Sequence, residues 1–341
     1  MGKKKKTSKK SKVDVSSLSW KAFKLSSKVS GVLGAGALLG ASNYLFEISM
    51  KPVKRDTSHD EEPQELPYMA GRKWMNEHPD RMDVWEKSED GLKLHANYIP
   101  SKNENEHRFA ICVHGHADSA ESMGVYARVY HDRYGMNVLM PDLRGWGKSE
   151  GKYVGYGYNE RKDMLVWIDW ILRLDPDALI ILHGISMGAA TCLMTTGEIL
   201  PSQVKACVSD ASYTSIMKVF KHVLKLRGME LPVSEDMLLQ GLRGITLARA
   251  RYDPAKAAPI KAVKKSKTPT LFIHGSEDTY IPPHMMTELF EAAACRKAYL
   301  KVPGAEHVQS VNTDPEKYWG KVESFLKAVD PALIADEQDR V

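Results

Sequence analysis

Between residues 180 and 190 an apolar run, Ile180-Ile181-Leu182, passes through His183-Gly184-Ile185-Ser186-Met187-Gly188 into Ala189-Ala190. A strand that turns this sharply into a helix can lift one serine hydroxyl clear of a sheet only if the positions two before and two after it carry no side chain. Gly184 and Gly188 meet that requirement, and the G-x-S-x-G pattern gains its force from the strand before it and the small-residue helix after it.

The rest of the chain fits the sheet this turn demands. Strand-like runs are predicted at 84–87, 92–99, 109–114, 138–141, 180–184, 204–209, 270–274 and 298–302, with helical periodicity at about 120–134, 158–173, 187–199, 284–293 and 314–328. Strands alternating with helices indicate a mainly parallel sheet covered on both faces. The first two strands, joined by the polar turn Glu89-Asp90-Gly91, are read as an antiparallel entrance. At 341 residues the chain suits one large α/β domain with an extension. The interval 211–266 is too long for a simple crossover and is read as an inserted helical lid, whose apolar Phe220 and Leu224 are candidate substrate contacts.

A serine hydroxyl needs a base, and the base needs an orienting acid. The expected chain order in this architecture is serine, acid, histidine. Asp278 follows the strand at 270–274 in Gly275-Ser276-Glu277-Asp278, with Glu277 in reserve. His307 follows the last strand in Pro303-Gly304-Ala305-Glu306-His307. Asp210, at the end of the strand 204–209, is a second candidate acid. Backbone N–H groups of Met187 and His116 are expected to meet the oxyanion. His114 and His116 lack the partners a zinc site requires, so neither a metal nor an organic cofactor is expected. Asp142-Leu143-Arg144-Gly145-Trp146-Gly147 does not have dinucleotide-binding spacing and is read as a structural turn, with Asp142 and Arg144 bracing adjacent loops.

Charge sets the amino-terminal region apart. Residues 1–28 hold ten lysines against one acid, Asp14, a net of +9, whereas the whole chain is +5, so the remainder is −4. An uncharged run over 29–46 follows, nearly long enough to span a hydrocarbon core. Lysines on its amino-terminal side predict a cytoplasmic tail and an extracytoplasmic catalytic body, the alternative being a cytoplasmic protein. The expected division is therefore a lysine-rich tail (1–28), a membrane anchor (29–50), a polar linker (51–80) and the catalytic domain (81–341). Lys6 stands where myristoylation needs serine or threonine. Cys112, Cys192, Cys207 and Cys295 show no metal spacing and no disulfide framework, which weighs against an oxidising compartment.

Taken together, His114-Gly115, Asp142 to Ser149, Gly184 to Gly188, Asp278 with Tyr280-Ile281-Pro282, and His307 resemble the α/β-hydrolase superfamily over about residues 80–328. The likeness is to the bacterial serine aminopeptidase and esterase-like branch. It implies the α/β-hydrolase fold, a mostly parallel eight-stranded sheet flanked by helices, with Ser186, Asp278 and His307 catalytic and the residues after the His-Gly pair and after the serine forming the oxyanion hole. The expected activity is cleavage of small-molecule acyl esters. Peptidase, acyltransferase or thioesterase chemistry on the same triad is the alternative, and a catalytically silent scaffold is the rival of another class. No nucleic-acid partner is expected, and the oligomeric state is left open.

Overall fold

A computed structural model describes residues 31–52, 67–226 and 233–334. The lysine tail, part of the expected linker and the middle of the expected lid lie outside the described residues.

Eight strands form one sheet: β1 (Met82–Lys87), β2 (Lys93–Ile99), β3 (Arg108–Val113), β4 (Asn137–Asp142), β5 (Leu179–Ile185), β6 (Val204–Asp210), β7 (Thr270–Gly275) and β8 (Lys297–Val302). Their spatial order is β1-β2-β4-β3-β5-β6-β7-β8. Pairing is antiparallel from β1 through β2 to β4 and parallel from there to β8. The central strands β3, β4 and β5 are buried on both faces, which is why they read as unbroken apolar runs.

Helices in chain order are α1 (Gly31–Ser49), α2 (Pro67–Glu77), α3 (Gly124–Arg128), α4 (Glu160–Leu174), α5 (Met187–Thr195), α6 (Ile216–Leu226), α7 (Glu235–Ala250), α8 (Pro259–Val263), α9 (His284–Ala292), α10 (Ser310–Thr313) and α11 (Pro315–Val329). Two buried apolar clusters occupy the two faces of the sheet. One contains Trp167 of α4 and Leu193 of α5, the other Tyr126 of α3 and Phe325 of α11. The helix predicted over 120–134 is instead a 3-10 turn, α3 and a π-helical stretch over Val129–Arg133. The expected lid interval contains α6, α7 and α8 between β6 and β7.

Two expectations for the amino-terminal region need correction. Among the described residues no helix is long and apolar enough to cross a membrane. The run expected as the anchor instead forms α1, whose second half docks on the domain: Ala41, Leu45, Phe46 and Met50 are buried, while Leu39 is 62% exposed. Glycine, serine and asparagine dilute its apolar content, and small residues let it approach α7 closely: a Cβ on Gly241 of α7 would lie 2.0 Å from Ser42 Oγ. Within the expected linker, residues 67–77 form α2. Met75 is fully buried, Arg72 pairs with Glu121 at 2.6 Å, and a Cβ on Gly124 would sit 2.0 Å from the Gly71 carbonyl. The fold thus recruits chain well before Arg81.

The turn at 142–149 is a brace. Asp142 Oδ1 accepts the Ala120 N–H at 2.8 Å, and Oδ2 accepts the Lys148 N–H at 2.9 Å and lies 2.7 Å from His95 Nδ1. Arg144 is bidentate to Asp163 and also bonds Asp90.

Candidate active site

Ser186 sits between β5 and α5 with φ 50° and ψ −115°, a left-handed backbone in a non-glycine residue. Such strain persists only where the surroundings enforce it. Here the Ser186 N–H donates to the Asp210 carbonyl at 2.8 Å, and its carbonyl accepts the Ala190 N–H at 3.0 Å. The glycines do what the motif requires of them: a Cβ on Gly184 would lie 2.4 Å from the Gly188 carbonyl carbon, and one on Gly188 would lie 2.1 Å from the Val113 carbonyl oxygen.

Three expected residues converge across 121 positions of sequence. His307 Nε2 is 3.0 Å from Ser186 Oγ, and His307 Nδ1 is 2.7 Å from Asp278 Oδ2. Asp278 Oδ1 accepts the N–H groups of Tyr280 and Ile281 at 3.0 and 2.8 Å. His274, fully buried on β7, brings its Nε2 within 3.0 Å of Asp278 Oδ2. Burial alone would raise the Asp278 carboxyl, but hydrogen bonds with His274 and His307 prevail and hold it well below the usual carboxylate range. Glu277 is exposed and bonds Ser276 Oγ, outside this chain of contacts.

Asp210 is fully buried on the α11 side of the sheet and accepts from Ser310 Oγ at 3.3 Å, while its Oδ2 has no hydrogen-bond partner within 3.5 Å among the described residues. Burial pushes its carboxyl up to about 6, against the pull of His274, Tyr318, Ser310 and His307. A carboxyl raised in the fold from an ordinary 3.8 contributes most stability below 3.8 and loses it as the pH rises through about 6. Asp210→Asn is therefore expected to unfold at higher urea than wild type at pH 8, by up to about 3 kcal/mol, with the gap narrowing towards pH 4.5. A gap independent of pH would remove this role for Asp210.

The turn after β3 lies against the serine, since a Cβ on Gly115 would be 3.5 Å from Ser186 Cβ. His114 controls that turn. Its Nε2 accepts the Leu143 N–H at 3.0 Å, which leaves the proton on Nδ1, and Nδ1 donates to the Gly115 carbonyl at 2.7 Å. That carbonyl shares its peptide plane with the His116 N–H, so the buried ring orients the expected oxyanion donor. Burial lowers the His114 pKa and keeps the ring neutral for this task. Met187 is the first residue of α5, so its N–H belongs to the helix N-terminal turn that begins beside the serine.

An aromatic wall flanks the turn. The His116 ring stacks on Tyr156 at 5.5 Å and meets the edge of Trp146 at 5.2 Å; burial, with His114 nearby, lowers its pKa to about 4. Phe220 of α6 meets Tyr156 edge-on at 5.3 Å, which puts it at this wall. Leu224 is buried in the apolar cluster on that side of the sheet and is not brought to the wall by any of these contacts. Sequence reasoning missed His274, His114 in its orienting role, and Tyr156. For His114 the chain did hold a sign, a histidine at a strand end directly before the glycine of the oxyanion turn.

Comparison with known proteins agrees with this architecture. The family model described as the alpha/beta hydrolase fold matches residues 111–238. The Arabidopsis thaliana alpha/beta hydrolase domain-containing protein WAV2 is 28% identical over 265 residues, covering 76% of this chain and 82% of its own length. The uncharacterized Bacillus subtilis protein YqkD is 26% identical over 230 residues, 67% of this chain and 74% of its own. Among solved structures, the Pyrococcus furiosus esterase Pf2001 superposes with a TM-score of 0.59 at 22% identity, covering 73% of this chain and 92% of that one. With this strand order and a strained serine between the fifth strand and its helix, the chain has the α/β-hydrolase fold.

Proposed function

We propose that the chain is a serine hydrolase that cleaves small-molecule carboxylic esters through an acyl-enzyme. The observation that carries this reading is the unbroken run of contacts from Asp278 through His307 to Ser186 Oγ.

Ser186 Oγ attacks the ester carbonyl carbon while its proton passes to His307 Nε2. The Asp278 carboxylate accepts a hydrogen bond from the Nδ1–H, holds the productive tautomer and stabilises the imidazolium. Negative charge on the former carbonyl oxygen is met by the N–H groups of His116 and Met187. The tetrahedral intermediate collapses as His307 returns its proton to the departing alkoxide, giving alcohol and acyl-Ser186. Water, deprotonated by the same ring, then releases the carboxylic acid and regenerates the serine. An ester is favoured as substrate because an alkoxide leaves a tetrahedral intermediate more readily than an unprotonated amide nitrogen, so it places the smaller demand on proton delivery by His307. Likeness to an esterase in fold supports the choice.

A fluorophosphonate probe on the full chain tests the nucleophile: wild type is expected to label and Ser186→Ala to remain unlabelled, whereas equal labelling of both overturns the proposal. A panel of p-nitrophenyl acyl esters and aminoacyl amides tests the substrate class. Turnover confined to the amides would replace esterase by peptidase.

A further inference from the structure

Tyr156 takes no part in the steps above, yet four segments meet at it. Its backbone is left-handed, with φ 50°, and its side chain is 5% exposed. Its hydroxyl donates to the Ser49 carbonyl in the last turn of α1 and lies 3.4 Å from His116 Nε2. Its ring lies parallel to His116, within 7°, and edge-on to Phe220 of α6. Its own carbonyl accepts the Tyr213 hydroxyl at 2.9 Å. Two residues upstream, the Val154 N–H donates to the Met50 carbonyl at 2.8 Å.

Helix α1 is tied separately to the other lid helix. Arg249 of α7 bonds Glu47 at 2.7 Å and Asn43 at 3.0 Å, and its guanidinium covers the Phe46 ring at 4.5 Å. Ser42 Oγ donates to the Leu238 carbonyl at 3.4 Å. One amino-terminal helix therefore touches α7 directly and, through a single tyrosine, reaches both the aromatic face of α6 and the residue whose N–H meets the oxyanion.

We infer that Tyr156 is a positioning residue that transmits the seat of α1 to His116 and Phe220, so that the docked amino-terminal helix keeps the oxyanion turn and the lid in register with Ser186. The inference rests on the acyl-transfer reading above. Packing alone does not account for Tyr156: an aliphatic residue fills space without a left-handed backbone and without a hydroxyl aimed at a carbonyl 107 positions away. An oxyanion donor acts through placement, and a displacement of about 1 Å far from the chemistry can cost on the order of 100-fold in rate.

The test is Tyr156→Phe in the full chain, which keeps the ring and deletes the hydroxyl. With active serines counted by fluorophosphonate titration, kcat per active site on a p-nitrophenyl ester is expected to fall about 10-fold with KM within about two-fold, because the donor is used most in the transition state. Amide exchange in residues 115–120 and 216–226 is expected to quicken. Phe46→Ala, which loosens α1 without altering Tyr156, should reproduce both effects, and the double variant should lose less than the product of the two. Unchanged kcat per labelled serine in Tyr156→Phe overturns the inference. So does a variant that only melts earlier or labels less completely while its labelled fraction turns over normally. If the wild type neither labels nor turns over, the hydrolase reading fails, and amide exchange alone decides the coupling: unchanged exchange in Tyr156→Phe refutes it.

Discussion

Ser186→Ala is expected to reduce ester turnover on the order of 10⁶-fold and Asp278→Asn about 10⁴-fold, with folding intact in both. On the proposed mechanism the serine loss removes the atom that becomes acylated. The aspartate loss acts through proton placement. Asp278 Oδ2 faces His307 Nδ1 at 2.7 Å, so only the tautomer with a proton on Nδ1 is satisfied, and the Nε2 lone pair is left facing Ser186 Oγ at 3.0 Å. An asparagine can present its NH₂ to Nδ1, which moves the proton to Nε2 and disarms the base. Because the hydrogen bonds of His274 and His307 hold the Asp278 carboxyl well below its ordinary range, it stays ionised at any practical assay pH. Its contribution to stability is present above an ordinary carboxylate pKa and is lost only as the pH falls through its depressed folded value. Steady-state kinetics per labelled serine checks the ranking. If Asp278→Asn keeps a tenth or more of wild-type turnover while Asp210→Asn does not, the orienting acid is the carboxylate on β6.

Where local pattern carries the physics, the chain was readable. Each strand of the sheet lies within two residues of a run read from the sequence. Strands β3, β4 and β5, buried on both faces, are apolar along their length, whereas the edge strands β1 and β8 show only scattered apolar positions between turn residues. Ser186, Asp278 and His307 were chosen by the same logic, since strand ends on one edge of a parallel sheet converge on one side of it, and in the structure the three side chains are in contact. Gly184 and Gly188 could be assigned a purpose before any coordinates, and the close approaches at both positions supply it.

Partners were not readable. An apolar run such as Leu38-Leu39 through Phe46 states that something apolar covers it and leaves open whether that is lipid or α7. Charge and proline hid α2, whose stability comes from the Gly71–Gly124 crossing and from buried Met75, contacts made with chain about fifty residues away. His114, His274 and Tyr156 make individual hydrogen bonds and ring contacts with residues brought close only by the fold, and no periodicity marks such residues.

Removing residues 1–52 is expected to unfold the protein or leave it barely stable, whereas removing residues 1–30 should leave the unfolding midpoint unchanged. Burial of Leu45, Phe46 and Met50 is worth about 1.5–3 kcal/mol each, so their loss costs about 5 kcal/mol or more, as much as the whole stability of a weakly stable domain. The longer deletion also uncovers the apolar faces of α7 and Tyr153 and takes away the carbonyls that hold Val154 and Tyr156. Urea denaturation of the two truncations against the full chain, with ester turnover on each, measures the difference. A 53–341 chain with the wild-type midpoint and rate would make α1 an appendage and return its apolar run to the anchoring role that composition suggests. The two roles exclude each other for the second half of the helix. Glu47, Asn43 and Ser42 engage Arg249 and the Leu238 carbonyl, and drawing them into hydrocarbon would strand a charge and break every one of those bonds.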